Sequence, residues 1–298
     1  MKIIITGASG LVGSALVPHL REKGHNVFPV VRTTDPVNED QIRWDPDKGF
    51  IDYKDLTAID CVINLSGENI AEGRWTEEKK AHILHSRVNS TGFLSQVIAS
   101  LDPKPKMLIN ASAVGYYGSQ GNSVLTEESP KGKGFLSDVC SEWEAATEHA
   151  RRAGIRTCLL RFGMVLSSEG GALEGMIAPF KMGMGGKIGS GEQYYSWIDI
   201  DDLVKAVEFA MDNNQLEGPI NVVSPYPVTN YEFTKALGSR LNRPTFIPLP
   251  AFLARLAFGQ MADELFLASQ RVEPAKLIKA GFKFEYPKLK ESLDNHIK

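Results

Sequence analysis

Cysteine is scarce in this chain. The 298 residues hold three, Cys61, Cys140 and Cys158, an odd and widely spaced set that excludes a disulfide framework and fits reduced thiols in a cytoplasmic protein. Their spacing supports no metal site. No apolar run approaches the roughly 20 residues that a membrane span requires. A formal net charge of −3 supplies no field to draw nucleic acid or an anionic membrane, so neither is an expected partner and any anion must be bound locally. The most apolar late segment, 250–261, carries Arg255 and reads as an amphipathic helix, for which core or homodimer packing stands against membrane contact.

What the sequence has in abundance is apolar residues, at 43%, and 27 glycines. Short β-branched runs alternate with segments of helical period through the first two thirds, the pattern of a doubly wound parallel α/β sheet. Strands are expected at 2–6, 26–31, 41–44, 61–65, 107–112, 157–161 and 220–223, with helices near 11–23, 76–101, 137–153 and 199–212. After residue 165 eight glycines between Gly170 and Gly191 mark a loop-rich excursion. A mostly helical C-terminal region follows, with apolar positions Phe252, Leu256, Leu265 and Leu277. The expected division is 1–165 with 198–224 as a dinucleotide-binding unit, and 166–197 with 225–298 as a smaller substrate-side unit.

The run Thr6-Gly7-Ala8-Ser9-Gly10-Leu11-Val12-Gly13 joins the first strand to the first helix. In that context Gly7 permits the sharp turn and Gly10 lets backbone N–H groups approach a pyrophosphate. Gly13 lets the helix lie against the strand with its N-terminus toward the anion. At the end of the second strand, where an NAD-binding protein places Asp or Glu on the ribose, stands Arg32. A guanidinium there suits the 2′-phosphate of NADP(H) over NAD(H), with a preference of roughly 10- to 150-fold. Alternatively Arg32 is a solvated loop residue and Asp35 meets the ribose. Asp45 either contacts the adenine edge or caps the turn that follows it.

With Asn64-Leu65-Ser66-Gly67, the run 111–118, NLSGENI (64–70), GRW (73–75), WEAA (143–146), RFGMVL (161–166), the stretch 185–199, PLPAFL and GFKFEYP, the chain resembles the extended short-chain dehydrogenase/reductases, and in particular their atypical epimerase family branch. The resemblance covers essentially the whole chain. It implies a Rossmann fold and a cofactor running over Gly7, Ser9, Gly10, Leu11, Val12, Gly13, Val31 and Arg32, then Leu65, Ser66 and Gly67. It also brings Arg87 and Met164 near the nucleotide, and implies that the Gly-rich stretch holds a small-molecule substrate, such as a sugar nucleotide. Glu68, Lys187, Gln193, Tyr194, Tyr195 and Trp197 are the substrate-side candidates.

The parent superfamily transfers hydride with a Tyr-xxx-Lys pair one helical turn apart. The helix expected to carry it places Val139 and Trp143 in the two slots. Two literal matches, Tyr231 with Lys235 and Tyr286 with Lys290, lie beyond the last expected strand. Ser112 with Tyr116 or Tyr117 is the remaining acid/base assignment, the alternative being that the tyrosines only line the pocket. Asp138 is a further polar neighbour, and Cys140 reads as an inert buried thiol rather than a nucleophile. Three functions stay open: an NADP(H)-dependent oxidoreductase or epimerase-like enzyme, a non-catalytic NADPH-binding protein that reports cofactor state to a partner, and a structural subunit whose nucleotide is permanent.

Overall fold

Ile3, Ile4 and Ile5 are consecutive and all fully buried, which a strand achieves only when both faces of its sheet are covered. The computed structural model describes all residues except 34, 36, 53–55 and 298. The chain begins β1 (Lys2–Thr6), α1 (Leu11–Glu22), β2 (Asn26–Arg32), β3 (Ile42–Asp45), β4 (Phe50–Ile51), β5 (Cys61–Asn64), α2 (Glu77–Ser100) and β6 (Met107–Ala113). It continues β7 (Val124–Leu125), α3 (Phe135–Ala145), α4 (Glu148–Arg152), β8 (Arg156–Phe162), β9 (Met164–Leu166), α5 (Gly171–Lys181), β10 (Tyr194–Tyr195), β11 (Trp197–Asp199) and α6 (Ile200–Asp212). It ends β12 (Gly218–Val222), β13 (Val228–Thr229), α7 (Asn230–Arg240), α8 (Ala251–Phe258), β14 (Arg271–Val272), α9 (Ala275–Lys279) and α10 (Leu289–His296).

Eight strands form the central sheet in the order β12-β8-β6-β5-β1-β2-β3-β4. Every neighbouring pair is parallel except β3 with β4. Leu16 and Leu20 of α1 pack with Leu203, Val207 and Ala210 of α6 on one face. Leu94, Val97 and Ile98 of α2 pack with Ala150 of α4 on the other. The chain steps outward from β1 through β2 to β3, then restarts at β5 and steps the opposite way. The crevice between the C-terminal ends of β1 and β5 is therefore the topological switch point, where open α/β sheets bind ligands.

A third apolar cluster holds Leu166, Leu173, Phe180, Trp197, Phe233, Leu237, Leu289 and Leu293. Among the described residues no helix is long and apolar enough to cross a membrane.

The structure corrects three expectations of the sequence. The helix read over 137–153 is broken into α3 and α4. At the break Thr147 Oγ1 donates to the Glu144 carbonyl at 2.7 Å, a local bond that competes with the helix ladder. The Gly-rich stretch contains the 11-residue α5, with Gly171 and Gly175 inside it, because burying Leu173 and Phe180 in an apolar cluster outweighs the glycines' weak helix propensity. Phe252 and Leu256, read as part of the C-terminal apolar pattern, are 67% and 73% exposed.

The C-terminal helix docks through a buried acid. Asp199, the N-cap of α6, accepts from the Asp201 N–H at 2.9 Å, from Ser292 Oγ at 2.6 Å and from His296 Nε2 at 3.0 Å. The bond to Asp199 raises the His296 pKa above its ordinary 6.5. Folding thus favours the protonated ring, so this contribution is complete below about pH 6.5 and is lost as pH rises through the folded value. We expect the wild-type Tm to fall between pH 6 and 9, and His296→Gln to flatten that fall. A slope unchanged by the substitution would assign the dependence elsewhere.

Candidate functional site

At the switch point the turn after β1 and the turn after β5 touch. Gly7 has φ +69°, and a Cβ there would lie 2.6 Å from the Leu65 carbonyl carbon and oxygen. A Cβ on Gly13 would sit 2.4 Å from the Gly7 oxygen and 2.6 Å from Ala8 Cα. These two contacts seat the N-terminus of α1 directly on the turn. Gly10 is the N-cap and supplies no side-chain cap, so the first N–H groups of α1 keep their hydrogen-bonding capacity and the positive end of the helix dipole faces outward. Ser9 and Gly10 are exposed, Leu11 and Val12 half-buried. Leu11 packs against Gly170 and Gly171, whose added Cβ atoms would come within 3.2 and 2.9 Å of it.

The strand ends that frame this cradle are fixed by a buried polar chain. Thr6 Oγ1 donates to Asn64 Oδ1 at 2.6 Å. Asn64 Nδ2 lies 2.7 Å from Thr91 Oγ1 and 2.6 Å from Asn110 Oδ1. Trp143 Nε1 donates to Thr91 Oγ1 at 3.0 Å. All four hydrogen-bonded polar residues, Thr6, Asn64, Thr91 and Asn110, are at most 1% exposed. β1, β5, β6, α2 and α3 are thereby held at one level, because buried polar groups cannot afford to lose their partners.

Arg32 ends β2 beside Trp44 and is about half exposed, its one ion pair among the described residues a 3.5 Å contact with the exposed Asp47. Val31 is half-buried. Asp45 is committed to the turn: it accepts from the Lys48 N–H at 3.4 Å and pairs with Lys48 Nζ at 3.0 Å. Asp35 accepts no hydrogen bond among the described residues, and its N–H donates to Thr33 Oγ1. Ser66 N–H donates to Asn64 Oδ1 at 3.4 Å. Next to it, a Cβ on Gly67 would meet Arg87 Cζ at 3.0 Å. Arg87 donates to the Ile83 and Glu68 carbonyls at 3.0 and 2.9 Å and stacks 5.1 Å from the Trp143 ring. Burial lowers its pKa, and among the described residues no carboxylate lies within salt-bridge distance. Glu68 is paired instead with Lys79 at 2.6 Å, which lowers its pKa. Met164 opens β9 and is half-buried beside the third cluster.

Beyond β6 a second buried network takes up most of the acid/base candidates. Glu144 receives Arg161 through two bonds of 2.8 Å and Ser112 Oγ at 2.7 Å. Arg161 also donates to Tyr117 OH at 2.9 Å, and Tyr117 donates in turn to Asn221 Oδ1 at 2.7 Å. Ser112 is 2% exposed and Tyr117 fully buried, and desolvation raises the Tyr117 pKa. The protons of both hydroxyls point into the network. Tyr116 differs: its ring lies 3.5 Å from Arg161 Cζ, it is half-buried, and its hydroxyl makes no hydrogen bond among the described residues. Gly115 and Gly118 on either side of the two tyrosines line a cavity of about 90 Å³ with Ser119, Lys133, Glu264 and Gln270. The Glu264 carboxylate closes one end, accepting the Phe135 and Leu136 N–H groups at 2.8 and 3.1 Å as the cap of α3.

The substrate-side candidates do not converge. Gln193 Nε2 donates to the Ile188 and Phe266 carbonyls, Tyr195 OH to the Phe266 carbonyl, and Trp197 Nε1 to the Tyr226 carbonyl. All three are buried, and burial pushes the Tyr195 pKa up to about 12. They fasten the C-terminal segment to the sheet. Tyr194 is half-buried against Arg271, and Lys187 faces a different cavity.

Comparison with known sequences decides the family. The profile of the NAD dependent epimerase/dehydratase family matches residues 3–241, and that of a domain of unknown function, DUF1731, matches 249–295. An epimerase family protein of Mycobacterium bovis is 45% identical over 291 residues, covering 98% of this chain and 96% of that one. The chain belongs to the NAD-dependent epimerase/dehydratase family. Human epimerase family protein SDR39U1, solved with NADPH, superposes with a TM-score of 0.91 at 33% identity, covering 100% of this chain and 99% of that one. A structure described as a nucleoside-diphosphate sugar epimerase from Corynebacterium glutamicum gives 0.82 at 36% identity, with 58% of that longer chain covered.

This membership makes the chain a nucleotide-cofactor-binding, epimerase-like protein. In this member α3 presents Val139 and Trp143, 2% and 6% exposed. Asp138 pairs with Lys131 at the surface. Cys140 is buried, and desolvation pushes its thiol up to about 11, which leaves it unreactive. Sequence reasoning missed Glu144, Arg161 and Glu264. A signal for one existed: Arg161 directly follows the apolar run Cys158-Leu159-Leu160 and precedes Phe162, and a charge at such a position demands a buried partner.

Proposed function

We propose that the chain is an NADP(H)-dependent oxidoreductase or epimerase-like enzyme acting on a small polar substrate. The observation that carries this reading is the uncapped N-terminus of α1 seated at the switch point, with the exposed guanidinium of Arg32, held only by a 3.5 Å contact with Asp47 among the described residues, at the end of the neighbouring strand. On this reading Gly7, Ser9, Gly10, Leu11, Val12 and Gly13 cradle the pyrophosphate, and Arg32 takes the 2′-phosphate. Val31, Leu65, Ser66, Gly67, Arg87 and Met164 line the rest of the nucleotide. When bound, the nicotinamide supplies hydride transfer.

Tyr116, whose hydroxyl is unspent, is the proposed proton donor and acceptor at the substrate. Ser112 and Tyr117 fix its surroundings through Glu144 and Arg161. Without a lysine to tune it, the step forgoes about 10²- to 10⁴-fold in rate. The small cavity lined by Gly115 and Gly118, the chain neighbours of the two tyrosines, has room for a polar group of a few heavy atoms next to Lys133 and Gln270. Residues 1–165 with 198–224 form the cofactor unit, and 166–197 with 225–298 the substrate side, a division that the third apolar cluster supports.

Titration of the chain with NADPH and NADH by intrinsic fluorescence is the test. Arg32→Ala should erase a preference of roughly 10- to 150-fold for NADPH. Equal affinities in the wild type would remove the NADP(H) assignment, and no binding of either would remove the enzyme reading.

One observation favours a second reading, a non-catalytic NADPH-binding protein acting through a partner. Val139 and Trp143 are core residues on the helix expected to carry the parent superfamily's Tyr-xxx-Lys pair. A set of captured partners that changes between NADPH and NADP⁺ would support it, and an unchanged set would count against it.

A further inference from the structure

A second cavity, of about 220 Å³, lies between α7 and the chain at 245–248 and shares no residue with the nucleotide cradle or the Tyr116 network. Its walls include Lys187, Tyr231, Thr234, Lys235 and Phe246. Tyr231 and Lys235 are the pair that forms a stray Tyr-xxx-Lys match in the sequence. One helical turn apart on α7, they stand on the same side of the helix, as i, i+4 residues must.

Two cations meet at this cavity, and none of its lining residues is an acid. Lys187 Nζ gives one hydrogen bond, to the Ser190 carbonyl at 3.1 Å. Lys235 Nζ lies over two rings, 5.5 Å from Tyr231 and 5.6 Å from Phe246. Among the described residues neither forms an ion pair. The nearest acid on α7, Glu232, is spent in the capping box with Thr229, accepting its N–H at 2.8 Å. Thr234 adds an independent sign: it is 2% exposed, lines the cavity, and its hydroxyl makes no hydrogen bond among the described residues. Among the described residues Arg240 Nε is the one fully buried side-chain atom without a hydrogen-bond partner, so the Thr234 oxygen keeps some contact with the cavity, where it can bond a ligand oxygen. The aromatic rim is open, with Tyr231 51% and Phe246 81% exposed.

We propose that this cavity binds an aryl anion, a flat ring bearing a carboxylate or phosphate. Lys187, Lys235 and the Thr234 hydroxyl hold the anionic group, and the ring packs on Phe246 and Tyr231. Lysines give point charges that either anion accepts, while the exposed rings supply the flat apolar face that a bare inorganic anion would leave unused. The site is independent of the nucleotide reading, because no residue is shared.

The test is calorimetric titration of the full chain with phenyl phosphate, benzoate and inorganic phosphate. At least one of the two aryl anions should bind about tenfold or more tighter than inorganic phosphate. The tighter of the two assigns the natural ligand to phosphate esters or to free aromatic acids. Replacing both lysines (Lys187→Ala with Lys235→Ala) should weaken the aryl anion by about 10- to 100-fold. Thr234→Val should weaken it several-fold while leaving Tm nearly unchanged, since the hydroxyl makes no hydrogen bond among the described residues that the substitution could break. A merely structural Thr234 would lower Tm instead and leave binding unchanged. Gly13→Ala should leave aryl-anion binding intact, which separates this site from the cradle. Wild-type affinity in the double lysine variant, or inorganic phosphate binding as tightly as both aryl anions, overturns the proposal.

Discussion

Glu144→Ala should be among the most destabilising single substitutions in this chain, by about 3–5 kcal/mol. Arg161 is 3% exposed and Glu144 about 10% at its side chain. Their two 2.8 Å bonds, together with Ser112 and Tyr117, are what make a charge tolerable at that depth. Removing the carboxylate leaves a buried guanidinium that, among the described residues, keeps the Tyr117 hydroxyl and the Tyr116 and Tyr117 rings but no counter-charge. Removing both charges, as in Glu144→Leu with Arg161→Met, leaves no buried charge, only the Ser112 hydroxyl without its acceptor, and should recover most of the loss. Thermal melts should place the single variant roughly 10 °C below wild type and the double variant well above the single. A single variant melting within a degree or two of wild type would mean that the pair is solvated in the native state.

The second large effect is expected at Gly13. An added methyl would stand 2.4 Å from the Gly7 oxygen and 2.6 and 2.7 Å from two Ala8 backbone atoms. None of these can rotate away. Gly13→Ala must therefore lift α1 off the turn, costing about 1–3 kcal/mol of stability and withdrawing the helix N–H groups from an anion, with dinucleotide affinity falling at least about tenfold. Gly10→Ala is the internal comparison, because the nearest atom to its Cβ is 3.4 Å away. That substitution should leave Tm nearly unchanged yet weaken NADPH, since the methyl would occupy the anion's path rather than the protein's. If both variants bind NADPH as wild type does, the cradle is not the nucleotide site.

The sequence alone determined the frame around that cradle. β1 and the starts of β2, β5 and β6 fall where the β-branched runs place them, and α1 begins at Leu11 as the glycine spacing requires. The reason is local: a strand buried on both faces must be continuously apolar, and a helix that meets a tight turn needs glycine where backbones touch. Asp45 shows the limit of that reasoning. Its type and position suited either the adenine edge or a cap, and the placement of Lys48 is what turned it into the cap.

Tertiary structure decided everything that depends on partners far apart in the chain. Tyr117 meets Asn221 and Arg161, and Glu264 caps α3 from the far end of the sequence. No local pattern fixes such pairings. The same dependence removed Gln193, Tyr195 and Trp197 from open solvent, because their polar atoms found carbonyls of the C-terminal segment. It left Phe252 and Leu256 outside, although their spacing is that of a buried face. Periodicity specifies which residues share a side of a helix, and whether anything covers that side depends on where the fold carries the helix.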